Sequence, residues 1–596
     1  MIQYQITSKN PVTHYFDVRI LIDNPDPGGQ CLRLPNWIPG SYMIRDFSRH
    51  LVSMTASVDG ELLRIHQQDK SNWCVEPCTG TLCIEYLVYA RDLSVRGAHL
   101  DHTHGYYNGT SVFLEVLGRA DESYQVLIGK PETDYSQNWR LATTLARQQA
   151  GEFGFGLYQA KDYDDLIDHP VEMGDFRQIR FQACGVPHDI ILTGRFDCDE
   201  DRLVRDLTTI CEHHIRFFGE PAPVDYYQFQ VLVVGDGYGG LEHRSSTSLL
   251  CSRDSLPQPG ESKVTESYRE FLGLCSHEYF HTWNVKRIKP AVYQPYDLQQ
   301  EVYTELLWAF EGITSYYDDL ALVRCGLIEQ TDYLELLAQT MTRVARGKGS
   351  RRQAAAESSF NAWTKFYKQD ENAQNAIVSY YAKGALIALC IDLKMRALTD
   401  NQQSLDTVMS ELWQRWQASA EGVGINSIQA LICDLVGSDL QEFLDQLIQQ
   451  TGDMPLQELL ATVGVDVVRR ASINQADKGG KESTEPLSEV SFGAFLKEQD
   501  GGLQIIRVDE DGSAQKAGLA AEDQIIAVDG IKLSLEKFER RIALAKPGNI
   551  WEVHAFRRDE LHQFEVVLLE AAEHTIVLQV TDQQQAQRQD WLGGGH

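Results

Sequence analysis

The spacing of apolar residues changes along the chain, and that change restricts which folds it can adopt. From Met1 to about Asp168 apolar and polar residues alternate in short runs such as Phe16-Asp17-Val18-Arg19-Ile20-Leu21-Ile22. These are broken by turn residues such as Asn24-Pro25-Asp26-Pro27-Gly28-Gly29. A period of two puts alternate side chains on one face of a strand, so residues 1–168 are expected to form an antiparallel β-sandwich or β-saddle domain. Gln228 to Val234 reads as one more strand, at a sheet edge, before the Gly-rich run Gly235 to Gly240. From about Lys263 to Ser438 the spacing becomes three and four, with long runs over 301–324 and 377–398, the pattern of helices. A polar segment from Asn474 to Pro486 contains no apolar residue larger than Ala and reads as a linker, 474–489. Short strands around a short helix then predict a separate module over 490–580, and a polar tail, 581–596, is expected to fray. The expected fold class is multidomain α+β, with the main middle domain over 169–473.

Composition narrows the function. The 596 residues carry 54 Lys plus Arg against 85 Asp plus Glu, a formal charge of −31. Such a surface repels a phosphate backbone, which must be met by Lys and Arg, so nucleic acid is not an expected partner. No window reaches the roughly 18 consecutive apolar residues of a membrane span, and the start lacks a basic segment followed by an apolar one, so a cytoplasmic protein is expected. The twelve cysteines form no Cys-x-x-Cys pair and are expected to be mostly buried thiols. The closest group, Cys74, Cys78 and Cys83, is the one candidate for a metal or disulfide site, although its spacing matches no zinc template.

The chemistry centres on His277-Glu278-Tyr279-Phe280-His281, inside an expected helix running from about Thr265 to Pro290. Positions i and i+4 project from one face of a helix, so His277 and His281 are placed to bind one zinc ion. Glu278 lies about 100° round the helix from His277, within reach of a water molecule on the metal without being a ligand. This is the H-E-x-x-H arrangement, in which the carboxylate takes the water's proton. A catalytic zinc takes a third protein ligand, and three downstream carboxylates compete: Glu301, Glu305 and Glu311.

Leu307-Trp308-Ala309-Phe310-Glu311-Gly312-Ile313-Thr314-Ser315-Tyr316 contains Trp-x-x-Glu-Gly-x-x-x-Tyr, which resembles the third-ligand helix of the gluzincin aminopeptidases. The resemblance implies that Glu311 is the ligand, with Glu305 in reserve, that Gly312 allows close packing, and that Asp318 hydrogen-bonds a ligating histidine. Tyr238-Gly239-Gly240-Leu241-Glu242-His243-Arg244 is similar to their Gly-x-Met-Glu-Asn segment, although His243 stands where the better-known enzymes have Asn. It implies that Glu242 pairs with the substrate's α-ammonium, with Gly239 and Gly240 alongside. Tyr380-Tyr381-Ala382-Lys383-Gly384-Ala385 resembles the segment whose Tyr stabilises the oxyanion, which implies that role for Tyr381, a phenol donor aimed at developing charge.

In the last module, Ser513 to Leu519 followed by Asp523 to Gly530 resembles a PDZ domain, whose groove takes a peptide or protein chain end by strand addition. Together with Leu34-Pro35-Asn36-Trp37-Ile38-Pro39-Gly40-Ser41-Tyr42 and His281 to Arg287, these motifs make the whole chain resemble the glycyl aminopeptidase family of zinc metallopeptidases. The family implies an N-terminal β domain, a mainly α-helical thermolysin-like catalytic domain and a C-terminal PDZ domain. It further implies one zinc ion per chain and removal of N-terminal Gly or Ala from peptides with a free N-terminus. Two other functions fit the same motifs: a zinc endopeptidase that captures substrates through the PDZ groove, and a non-catalytic PDZ-bearing binding protein with a structural metal.

Overall fold

The structure, a computed structural model, describes residues 1–499 and 501–593. Its backbone divides into two compact units, Met1–Val302 with Leu412–Gly422, and Tyr303–Glu411 with the chain from Val423 onward.

The first unit begins with the expected alternation. Ile2–Thr7 buries Ile2, Tyr4 and Ile6 and leaves the residues between them half-buried, so one face of the strand enters the core. It pairs antiparallel with Tyr15–Ile22 and parallel with Tyr124–Ile128 in an eight-stranded sheet, and two four-stranded sheets complete this β-rich part. Cys31 and Cys74 face each other across paired strands Cys31–Arg33 and Asn72–Val75 and are joined by a disulfide, so Cys74 is paired, but with a cysteine outside its group of three. Cys78 and Cys83 remain free thiols. A five-stranded sheet follows, in the order Arg177–Ala183, Val186–Gly194, Tyr227–Val234, Ser246–Ser252, Tyr238–Glu242. The strand expected at an edge, Tyr227–Val234, is therefore interior, bonded in parallel on both sides. The edge is Tyr238–Glu242, a strand built on the Gly-rich run itself.

The second unit is mainly helical, as its spacing predicts. Tyr380–Leu398, capped by the Ser379 side chain on the Ala382 N–H, is its central helix and is apolar nearly all round. The stretch Ala373–Leu398 is long and apolar enough by length and composition to cross a membrane, but 78% of its window lies inside the protein. Strand Val465–Arg470 pairs antiparallel with Thr575–Val580, and the separate module expected from residue 490 is inserted between these two strands. The presumed linker is packed: Arg470 holds Asp477 at 2.6 Å and the Gly480 N–H donates to the Ile576 carbonyl at 2.8 Å. The tail does not fray either. Gln585–Leu592 is a helix whose Trp591 is fully buried and donates its indole N–H to the Tyr316 hydroxyl at 2.8 Å, so one aromatic residue anchors an otherwise polar segment. Residues 594–596 of that tail lie outside the described residues.

Candidate metal centre

The H-E-x-x-H helix spans Glu266–Phe280 and is capped by Thr265, whose hydroxyl accepts the Tyr268 N–H at 3.2 Å. It ends well before Pro290. His281 still has helical dihedrals, but the chain then turns, with Val285 at φ 113° and the Lys286 N–H donating to the His281 carbonyl. The early ending sets the second histidine. His281 Nδ1 lies 2.7 Å from the Asn284 carbonyl and so must carry the proton, which leaves Nε2 with a lone pair. That Nε2 is 3.0 Å from Nε2 of His277 across rings set at 86°. Two ring nitrogens this close suit a shared cation. His277, His281 and Glu311 each offer a ligand atom, and the three atoms lie within 4.8 Å of one another. Two imidazole nitrogens and a carboxylate oxygen form the donor set of a catalytic zinc with one open position, so the residues fit the expected metal.

Glu278, only 5% exposed, faces the edge strand. The Gly240 backbone comes so close that an added Cβ would lie 2.5 Å from the Glu278 carboxyl carbon. Arg96 donates to the Gly240 carbonyl at 3.2 Å and holds the strand in place. Glu242, at the end of this strand, is 4% exposed and its Oε1 makes no hydrogen bond among the described residues. A Cβ on Gly40, whose φ is 90°, would sit 2.5 Å from both Glu242 carboxylate oxygens. Burial, and then the Glu242 charge, push the Tyr296 phenol well above the ordinary tyrosine range.

Behind Glu242 lies a buried ion cluster that no sequence signal marks. Asp168 takes Lys286 Nζ at 2.9 Å, His243 Nδ1 at 3.4 Å and the Arg244 N–H at 3.0 Å. Burial raises its carboxyl pKa, but the Lys286 and Arg244 charges and the neighbouring His243 outweigh this and hold it well below the usual range. Burial lowers the His243 pKa despite Asp168.

In the second unit, Glu311 is 2% exposed and precedes helix Gly312–Arg324. A Cβ on Gly312 would lie 2.5 Å from the Gly384 Cα, so the helix meets Tyr380–Leu398 backbone to backbone. Tyr381, one turn before Gly384, has its phenol pushed well up by burial, then by the Glu311 charge and Tyr367, whose hydroxyl is 3.4 Å away. The phenol is therefore a protonated donor at neutral pH. Tyr380 is fully buried and stacks on Tyr381 at 4.6 Å. The expected helix over 301–324 starts only at Leu307, which leaves Glu301 and Glu305 in irregular chain. Glu305 accepts the Gln449 side-chain N–H at 3.2 Å. Asp318 is half-buried on Gly312–Arg324 and accepts the Asp319 N–H at 2.6 Å.

Comparisons with known proteins follow the same division. Family models match for the Peptidase M61 N-terminal domain over residues 3–175, M61 glycyl aminopeptidase over 270–387 and the PDZ domain over 490–568. No curated protein matches the chain. The crystal structure of an aminopeptidase N family protein from Idiomarina loihiensis is 41% identical, with 99% of this chain and 100% of that one covered and a TM-score of 0.96. A mutant M1 zinc metallopeptidase from Deinococcus radiodurans, bound to a Tyr-Ser-Ala substrate, is 14% identical over 76% of this chain and 94% of its own, with a TM-score of 0.46. Legionella pneumophila aminopeptidase A in complex with aspartic acid is 15% identical over 80% of this chain and 51% of its own, at 0.47. The domain matches and the full-length likeness at 41% identity establish that the chain belongs to the M61 glycyl aminopeptidase family, an aminopeptidase-type metallopeptidase with a C-terminal PDZ domain.

Proposed function

We propose that the protein is a zinc-dependent aminopeptidase that removes a small N-terminal residue, Gly or Ala, from peptides with a free N-terminus. The observation that carries this reading is the 3.0 Å convergence of the His277 and His281 Nε2 atoms in a cluster completed by Glu311. His277, His281 and Glu311 would hold one zinc ion, which would supply a Lewis acid for the scissile carbonyl and for a water molecule. Glu278 accepts the proton of the attacking water and delivers it to the leaving amine. Tyr381 donates its hydroxyl hydrogen to the developing oxyanion, a role supported by burial that keeps the phenol protonated. The resemblance of the Trp308-to-Tyr316 segment assigns Asp318 the orienting of a ligating histidine. Gly239 and Gly240 present bare backbone along the sheet edge to the substrate chain. Glu242, buried with an unbonded carboxylate oxygen, accepts the substrate's α-ammonium and admits only the first peptide bond to the reacting position. The Gly part of this preference is supported by the glycyl aminopeptidase description of the family matching residues 270–387.

The experiment is Glu278→Gln with metal analysis and a time course on a mixed peptide panel. Turnover should fall about 10²- to 10⁴-fold, the usual contribution of a positioned general base, while zinc content holds. Activity within a few-fold of wild type would remove Glu278 from the reaction. Cleavage of N-acetylated or internal bonds as fast as free N-termini would replace aminopeptidase with endopeptidase.

A further inference from the structure

The PDZ module carries its peptide groove between strand Ala494–Gln499, the edge of a five-stranded sheet, and helix Leu535–Leu544. An edge strand offers unpaired backbone groups on its outer side, and an extended peptide docks by bonding to them. In this protein the outward groups of Leu496 are already bonded to the chain itself. The Leu496 N–H donates to Gln475 Oε1 at 2.9 Å, and Gln475 Nε2 donates to the Leu496 carbonyl at 2.7 Å. One primary amide side chain thus makes both bonds that a residue of an incoming strand would make. The backbone N–H of Gln475 reaches the facing helix, at 3.4 Å from Glu539 Oε1.

The occupying segment is latched from both sides. Asp477 accepts the Ile473 N–H at 3.0 Å and the Arg470 guanidinium at 2.6 Å, while the Ser488 hydroxyl donates to the Ile473 carbonyl at 3.0 Å. Ser472 to Gln475 line the same cavity as the apolar groove residues Phe492, Leu496, Phe538 and Ile542. The space left is about 150 Å³, below the roughly 300 Å³ at which small-ligand sites begin.

We infer that the PDZ groove is a peptide-docking surface whose resident occupant is the protein's own segment 472–475, and that an extended peptide binds only by displacing Gln475. A tethered occupant competes at a local concentration on the order of millimolar, so the intact chain binds free peptide weakly even where the open groove binds it well. This inference is independent of the metal centre.

Hydrogen exchange on the full-length chain tests the occupancy. In Gln475→Ala the Leu496 amide should exchange at least tenfold faster than in wild type, with segment Gln524–Val528 of the same sheet unchanged. Equal Leu496 rates in the two proteins overturn the inference. Gln475→Asn, polar but one methylene shorter, should show the same local acceleration, and acceleration spread evenly over the sheet in both variants also overturns it. The probe for docking is an equimolar library of fluorescent octapeptides with free ends. Gln475→Ala should bind it at least tenfold more tightly than wild type, and equal affinity, including no binding to either, counts against displacement.

Discussion

Gly240 lies flush against Glu278: its backbone leaves less than a methyl group's room beside that carboxylate. The glycine is needed for proximity, since its φ lies outside the left-handed range. Gly240→Ala should therefore push Glu278 out of place and leave the strand intact. We expect kcat to fall about 10²-fold, in the lower range for a displaced general base. Zinc content by metal analysis should remain at the wild-type level, because the three candidate ligands are untouched.

Gly40 closes on Glu242 in the same way, 2.5 Å from an added Cβ to each carboxylate oxygen. The proposed role gives the buried Oε1 of Glu242, which makes no hydrogen bond among the described residues, to the substrate's ammonium. Replacing Glu242 by Gln keeps the shape and removes the charge. A charge-assisted hydrogen bond contributes about 2–3 kcal/mol, roughly 30- to 150-fold in kcat/KM. Glu242→Gln should show that loss on peptides with free N-termini and almost none on N-acetylated peptides. Steady-state kinetics on matched pairs checks it.

The parts of this site that were readable in the sequence are those carried by a short repeat distance. His277 and His281 are four apart on a helix, and that spacing alone puts them on one face. Glu311 needed the Trp308-to-Tyr316 pattern, because spacing did not separate it from Glu301 and Glu305; the late start of the helix at Leu307 was not legible. The helix end at Phe280 was missed because it depends on the turn through Asn284 and Val285, not on Pro290. Gly40, Asp168 and Gln475 left no periodic trace. Their partners Glu242, Lys286 and Leu496 are met only after folding, so a wall of the site read as a family motif, an ion-pair centre as a domain boundary and a groove occupant as linker.

Asp168 should be a pH-dependent support of the amine pocket. Its folded pKa is depressed, so its stabilising contribution is complete above the unfolded value, about 3.9, and disappears as pH falls through the lower folded value. Asp168→Asn leaves Lys286 buried without its 2.9 Å partner, and breaking a buried pair costs about 3–5 kcal/mol. Denaturant unfolding followed by a probe in the first unit should show that gap at pH 7. The gap should narrow only at pH values below the unfolded carboxyl range, because the wild type then loses the same ion pairs.

The close approach of Gly312 and Gly384 predicts a coupling between stability and catalysis in the second unit. An added Cβ on Gly312 meets the Gly384 Cα at 2.5 Å, and one on Gly384 meets the Trp308 carbonyl at 2.7 Å, so neither helix has a flexible side chain to move aside. Overpacking of this kind costs about 1–3 kcal/mol. The same contact sets Tyr381 within the electrostatic reach of Glu311, so spreading the helices should lower kcat as well as the denaturation midpoint. Gly312→Ala and Gly384→Ala press on one gap; once the first has opened it, the second has less to displace. The double variant should therefore lose less stability than the sum of the singles, by about 0.5–3 kcal/mol in a double-mutant cycle. Strict additivity would mean that the two glycines do not share a contact.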